Sequence, residues 1–238
     1  MLLSLLPPKH LRLAFRGAWK VGITVLLGAL LVVKPAAAAG PIVLDGHFDD
    51  WAGMPCVSDP PGDIAQPDLD LTNLCFTTNP GDESAYFMAE RSSQNSRDSL
   101  DLNLYIDTDN NGNYNTPNDR LAVIHYDLKN KWSRVDVNLY DGTGAFLSTI
   151  ANNTDWGEGW SEGGSKVEWG LPFAALGINP QQAIRLFLVS TDGTLTYDRL
   201  PDAGDIQWSP ANILGWPLLI VFGTAGAGWL VYQRKRRA

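Results

Sequence analysis

Sulfur and histidine are scarce in this chain. Of 238 residues, two are cysteine and three are histidine. Past residue 39 only Cys56, Cys75, His47 and His125 remain. No Cys/His group has zinc-ligand spacing, and no G-x-S-x-G elbow is present. Acids are absent from both ends, since all 26 lie between Asp45 and Asp205. Bases are scarce between them: nine against those 26 leave that stretch at −17. An acidic body repels phosphate, which argues against nucleic acid as a partner. No 3.6-residue periodicity persists through residues 40–206, which argues against a helical bundle. At 45% hydrophobic and 10% aromatic residues, the composition can bury a core and is not that of a disordered chain.

The two ends are basic and apolar. Lys9, Arg12, Arg16 and Lys20 precede the run Val21–Val33, and Pro35 and four alanines follow. Thirteen apolar residues are short for a bilayer. With Ala37 and Ala39 at small-residue positions, residues 1–39 read as a signal peptide cut after Ala39; the other reading is an uncleaved anchor. Residues 213–232 carry no charge. Twenty helical residues span roughly 30 Å, the thickness of the hydrocarbon core. Trp216, Trp229 and Tyr232 lie near the ends of this run, where aromatic belts form. Arg234–Arg237 follow, and the positive-inside rule puts residues 233–238 in the cytoplasm and residues 40–212 outside. A processed sorting signal is the competing reading, but no LPxTG-like pentapeptide precedes the run. An even cysteine count outside the cell fits one disulfide, Cys56–Cys75; the alternative is two unpaired thiols.

Between the ends the pattern alternates with period two. Leu102, Leu104 and Ile106 share one face, as do Val135, Val137 and Leu139, then Val167, Trp169 and Leu171, then Ile184, Leu186 and Leu188. Further strands are predicted at Ile42–Leu44, Leu71–Thr77, Ala85–Glu90, Leu121–Asp127 and Leu195–Arg199. Gly, Pro and Asn clusters separate them, and proline opens a short helical turn at Pro172–Leu176. The expectation is an all-β chain: one β-sandwich of nine or more strands over residues 40–206, a linker at 207–212 and one C-terminal transmembrane helix.

The sharpest local feature is Asp107-Thr108-Asp109-Asn110-Asn111-Gly112-Asn113, closing at Asp119. Oxygen side chains at alternate positions before a glycine match the first half of an EF-hand loop, with a backbone carbonyl expected from Asn113. The second half departs from it, because Asn118 stands where the bidentate Glu would be. The flanks alternate as strands. The expectation is a calcium site in a β-hairpin, with Asp107, Asp109, Asn111, Asn113 and Asp119 as ligands and a structural role for the ion. The other reading is a turn whose side chains cap their own backbone.

Trp156 and Trp160 sit in a loop rich in Gly, Asn and acids. Indole faces pack against sugar rings while amides and carboxylates bond the hydroxyls, so the pair is a candidate ligand site. Equally, either indole can fold back over the core. Trp51 and Trp169 read as core, and Trp208 as a contact near the membrane. Acids are plentiful, but abundance does not make a pair of catalytic carboxylates, and no enzyme is expected.

Four blocks carry a family resemblance. Ile42-Val43-Leu44-Asp45-Gly46-His47-Phe48-Asp49-Asp50-Trp51 is the first, and Asp68–Thr72 followed by Ala85-Tyr86-Phe87 is the second. Tyr105–Asp109 with Asn111 is the third, and Val167–Pro172 with Leu176-Gly177 the fourth. In this order, over residues 41–200, they resemble the family-nine carbohydrate-binding-module-like fold, related to DOMON domains. The resemblance implies a β-sandwich, bound calcium and glycan binding. It leads to an exported, membrane-anchored binding module for a glycan or polysaccharide. The alternative is a structural or adhesive envelope protein whose partners are other envelope proteins. A haem-binding relative would need axial ligands from His47, His125, Met54 or Met88.

Overall fold

The computed structural model of the chain describes residues 40–210. The predicted signal peptide, transmembrane helix and basic tail lie outside those residues. Among the described residues no helix is long and apolar enough to cross a membrane. Eleven strands make up almost all the regular structure: β1 (Cys56–Ser58), β2 (Leu71–Thr77), β3 (Ser84–Arg91), β4 (Leu100–Asp107), β5 (Arg120–Leu128), β6 (Ser133–Asp141), β7 (Phe146–Thr154), β8 (Lys166–Pro172), β9 (Ile184–Thr191), β10 (Thr196–Leu200) and β11 (Ile206–Trp208). One 3₁₀ turn, Asp49–Trp51, and one short helix, α1 (Phe173–Leu176), complete the regular elements of the described residues. Pro172 precedes α1, and Gly177 ends it with φ 71°, the left-handed conformation that glycine adopts without strain.

The strands form two antiparallel sheets in a β-sandwich-like arrangement. One has the order β1-β2-β3-β8; the other has β10-β9-β4-β5-β6-β7, with β11 also paired to β9. The alternation read from the sequence is the physical reason. Leu102, Leu104 and Ile106 of β4, Val135 and Val137 of β6, and Leu186 and Leu188 of β9 are fully buried. They meet Leu74 of β2, Phe87 of β3 and Val167, Trp169 and Leu171 of β8 in one core. Phe87 and Trp169 stack with ring centroids 5.7 Å apart. Burying one such side chain contributes roughly 1.5–3 kcal/mol.

The other face of the four-stranded sheet is also covered. Cys75 and Met88 alternate with core residues, and Ile42, Trp51, Leu44 and Phe48 pack over them as a second apolar cluster. The N-terminal segment is locked there by one carboxylate. Glu168 on β8 is fully buried. Its Oε1 accepts from the N–H groups of Asp45 and Gly46, both at 2.8 Å, and its Oε2 from Trp51 Nε1 at 2.8 Å. The first and fourth sequence blocks are thus joined in space. Burial pushes the Glu168 carboxyl up to about 7, against the pull of those three donors.

Three details differ from the sequence reading, and the expected disulfide is present. Ile42–Leu44 is not a strand: Ile42 instead exchanges two hydrogen bonds with the Asn79 side chain, at 2.7 and 3.0 Å. Strands β1 and β7 have no predicted counterpart. The first has only three residues; the second is an exposed edge with register shifts, so its pattern does not alternate. The sheet also runs past residue 206. Trp208 pairs with Ile184 and sets its ring 5.2 Å from that of Phe76, so it is a core contact and the linker cannot begin at 207. Cys56 and Cys75 face each other across β1 and β2 and form a disulfide.

Candidate functional site

Three places carry chemistry: an acidic hairpin loop, a polar cleft beside the tryptophan loop, and a second acidic group at the other sheet edge. The hairpin loop joins β4 to β5. Strand pairing brings Ile106 opposite Arg120, which holds Asp107 and Asp119 together at the neck. One oxygen each from Asp107, Asp109 and Asp119 lies within 4.8 Å of the others. Asp107 and Asp119 are fully buried and Asp109 is exposed. The loop winds on its own amides. Asp107 accepts from Asn111 N and Gly112 N, and Asp119 accepts from Thr108 N, Thr116 N and the Thr116 hydroxyl. Asn111 and Asn113 each use Oδ1 to cap an amide two residues on. The sequence-predicted oxygens are therefore gathered in one loop, and the self-capping also expected of such a loop is present with them. Gly142 makes room for it: a Cβ there would run into Tyr114 O and stand 2.5 Å from Thr116 O. Among the described residues, no Lys, Arg or His forms an ion pair with the three carboxylates.

The tryptophan loop is pinned at several points. Glu168 N donates to Trp156 O at 2.8 Å, and Trp160 N donates to Lys129 O at 2.9 Å. Both indoles are half-buried and pack against the main core. The Arg97 guanidinium lies 4.3 Å above the Trp160 ring and covers one face of it. Neither indole stands free as a two-sided platform. Among the described residues Trp132, in the neighbouring β5–β6 turn, is the tryptophan that is open to solvent, at 46%.

A cleft of about 330 Å³ opens beside this loop. Gly46, His47, Phe48 and Asp49 form one wall, and Glu158, Glu162 and Lys166 form the other. The walls touch where Gly46 comes so close that a Cβ would sit 3.1 Å from Gly157 O. That approach and its φ of 77° require glycine at this position. Phe48 supplies an apolar face, with Lys166 Nζ 5.8 Å from its ring centroid. Glu158 is held in place by Ser165, whose N and Oγ donate to its Oε2 at 2.9 and 3.1 Å. The size is at the lower end for small-ligand clefts, ~300–1,000 Å³. The sequence pointed to the indoles of this region and missed the cleft, because its two walls are more than a hundred residues apart in the chain.

The second acidic group is Asp59, Asp63, Asp198 and Asp202, again with one oxygen each within 4.8 Å of the others. The sequence offered no local signal for it. The chain matches no protein-family model, no curated protein and no solved structure.

Proposed function

We propose that this protein is a non-catalytic carbohydrate-binding module that takes a short glycan in the cleft lined by His47, Phe48, Glu158 and Lys166, with structural calcium in the β4–β5 loop. The cleft is the observation that carries the reading. It sets one aromatic face among two glutamates, an aspartate, a histidine and a lysine. A sugar ring needs an apolar surface for its C–H face and ionised or amide groups for its hydroxyls, whose charge-assisted hydrogen bonds are the stronger ones. Trp156 and Trp160, which flank Glu158 in the chain, pack on the core beneath that loop and do not line the cleft. The resemblance of the four sequence blocks to carbohydrate-binding-module-like domains points the same way.

Calcium follows from charge. Three carboxylates within 4.8 Å of one another repel by roughly 3 kcal/mol per pair at an effective dielectric of about 20. The amide donors offset part of that, and an oxygen-only donor set suits Ca²⁺ rather than Zn²⁺. The segments at 1–39 and 213–238 complete the proposal: export, a single membrane span and a cytoplasmic tail, with the binding face outside. The test is a glycan-array screen of the full chain, with calcium and with chelator. Binding to a defined sugar supports the module. A blank array on folded protein would move the reading to an adhesive or structural envelope protein, and capture of other envelope proteins would then be sought.

A further inference from the structure

Strand β1 is one edge of the four-stranded sheet and β10 one edge of the seven-stranded one. The two sheets meet here through β2, next to β1, whose Leu71 N donates to Asp198 Oδ2 on β10 at 2.6 Å. Four carboxylates from two distant segments converge at this seam. Asp59 follows β1, and Asp63 lies in the next turn. Asp198 is on β10, and Asp202 follows that strand. One oxygen of each lies within 4.8 Å of the other three. Asp59 and Asp198 are 7% and 4% exposed, while Asp63 and Asp202 reach solvent.

Hydrogen bonds satisfy only part of this group: backbone amides serve Asp198, while Asp59 meets the Asp202 carboxyl, a second acceptor. Asp198 is anchored, because its Oδ1 also accepts from Arg199 N at 2.7 Å. Asp59, more than nine-tenths buried and turned into the group, keeps Oδ2 buried with no partner. Asp70, 1% exposed, stands behind them. Its Oδ2 accepts from Gly62 N at 2.7 Å in the turn that carries Asp63, and its Oδ1 is also buried without a partner. Its charge adds to the negative surroundings of Asp198. Among the described residues no Lys, Arg or His forms an ion pair with any of the five. Arg199 is next in sequence but turns away: its guanidinium bonds Gly204 O and Asp205 Oδ1 and lies 4.2 Å over the Phe187 ring. The contrast with the β4–β5 loop is direct, since there both oxygens of Asp107 and of Asp119 accept backbone amides. A buried carboxylate oxygen with neither donor nor cation is rare and calls for a specific occupant.

We propose that Asp59, Asp63, Asp198 and Asp202 form a second divalent-cation site, of calcium type, that fastens the two sheet edges together. The donor set is all carboxylate oxygen, which suits a hard cation and not zinc. Two ligands are buried, Asp198 being anchored by amides as well, and two are exposed at the mouth, where water completes the coordination. The ion bridges the β1–β2 connection to β10, so its role is to hold the seam of the sandwich. The site is independent of the glycan reading and of the β4–β5 loop.

The test is isothermal titration of the full chain, metal-stripped and in detergent solution, with Ca²⁺ alone. Wild type is expected to bind two equivalents. Asp63→Asn with Asp202→Asn is expected to lose one of them, with affinity there reduced more than about tenfold. Both substituted residues are exposed, and a circular-dichroism spectrum matching wild type certifies the fold. Asp109→Asn is expected to lose the other equivalent. Undiminished binding in the Asp63/Asp202 variant overturns the proposal and leaves the cluster to a proton shared between carboxyls. A single wild-type equivalent that this variant loses and Asp109→Asn keeps would support the seam site and sink the loop site. A measurement on unaltered protein stands beside these: crystals soaked in Mn²⁺ should give an anomalous peak among the four carboxylates, and a peak at the β4–β5 loop alone would overturn the proposal.

Discussion

Glu168→Gln should remove most of a fall in stability that the wild-type protein shows as pH rises toward neutrality. The carboxyl titrates at about 7 in the folded chain, against an ordinary value of 4.5. An acid whose folded value is raised binds its proton more tightly when folded. Its contribution is therefore fully present below pH 4.5 and is lost as pH climbs through about 7. A shift of this size, at roughly 1.4 kcal/mol per pH unit, amounts to about 3 kcal/mol. Glutamine cannot ionise, so its curve lacks that step. It keeps one oxygen for the Asp45 and Gly46 amides and gives up the bond to Trp51 Nε1, which costs about 1–3 kcal/mol at all pH values. The assay is urea unfolding followed by tryptophan fluorescence from about pH 4 to about pH 8, with chelator present so that cation binding does not contribute. The difference between the two stability curves isolates the one group. Parallel curves, or a wild-type curve that rises across this range relative to the variant, would refute the reasoning.

Four further outcomes are expected. Reducing the Cys56–Cys75 bond, which closes a loop of sequence separation 19, should cost about 3 kcal/mol by loop entropy, read as a fall in unfolding midpoint with the urea slope compared in parallel. Trp169→Ala opens the centre of the core where Phe87 stacks and should cost about 3–5 kcal/mol, measured by the same unfolding assay. Gly142→Ala drives a Cβ into the β4–β5 loop, and should abolish the calcium equivalent that Asp109→Asn removes while far-ultraviolet circular dichroism stays near wild type. Calcium at ten to a hundred times a weak dissociation constant of about 10⁻⁴ M should stabilise wild type over Asp109→Asn by roughly 1.4–2.7 kcal/mol, read as the difference in calcium-induced stability.

The fold was largely legible where a strand has one buried face. Leu102, Leu104 and Ile106 announce β4 by alternation alone, and the predicted bounds of β2, Leu71–Thr77, are those of the strand. Failures occurred where a partner replaced the pattern. Ile42 satisfies its backbone on the Asn79 side chain, so an apolar run there is no strand. Phe146 and Leu147 on the edge strand β7 face solvent, so apolar residues give no period. Trp208 falls inside the linker predicted at 207–212, yet its ring belongs with Phe76 and Phe87. The same division holds for the sites. Asp107, Asp109 and Asp119 were visible because a single hairpin gathers them. Asp59 and Asp198 were not, since only the meeting of two sheet edges brings them together. Glu168 gave a partial signal: its place between Val167 and Trp169 argued for a strand, but the three donors it serves come from the far end of the chain.

The measurement that tests the central claim most directly is titration of the oligosaccharide selected on the array into wild type and into Phe48→Ala. Phe48 is half-buried and forms the apolar wall of the cleft. Loss of an aromatic face at a sugar subsite should weaken binding at least about tenfold, roughly 1.4 kcal/mol, with calcium stoichiometry unchanged. Equal affinity in the two proteins would place the glycan elsewhere on the molecule and contradict the assignment of this cleft.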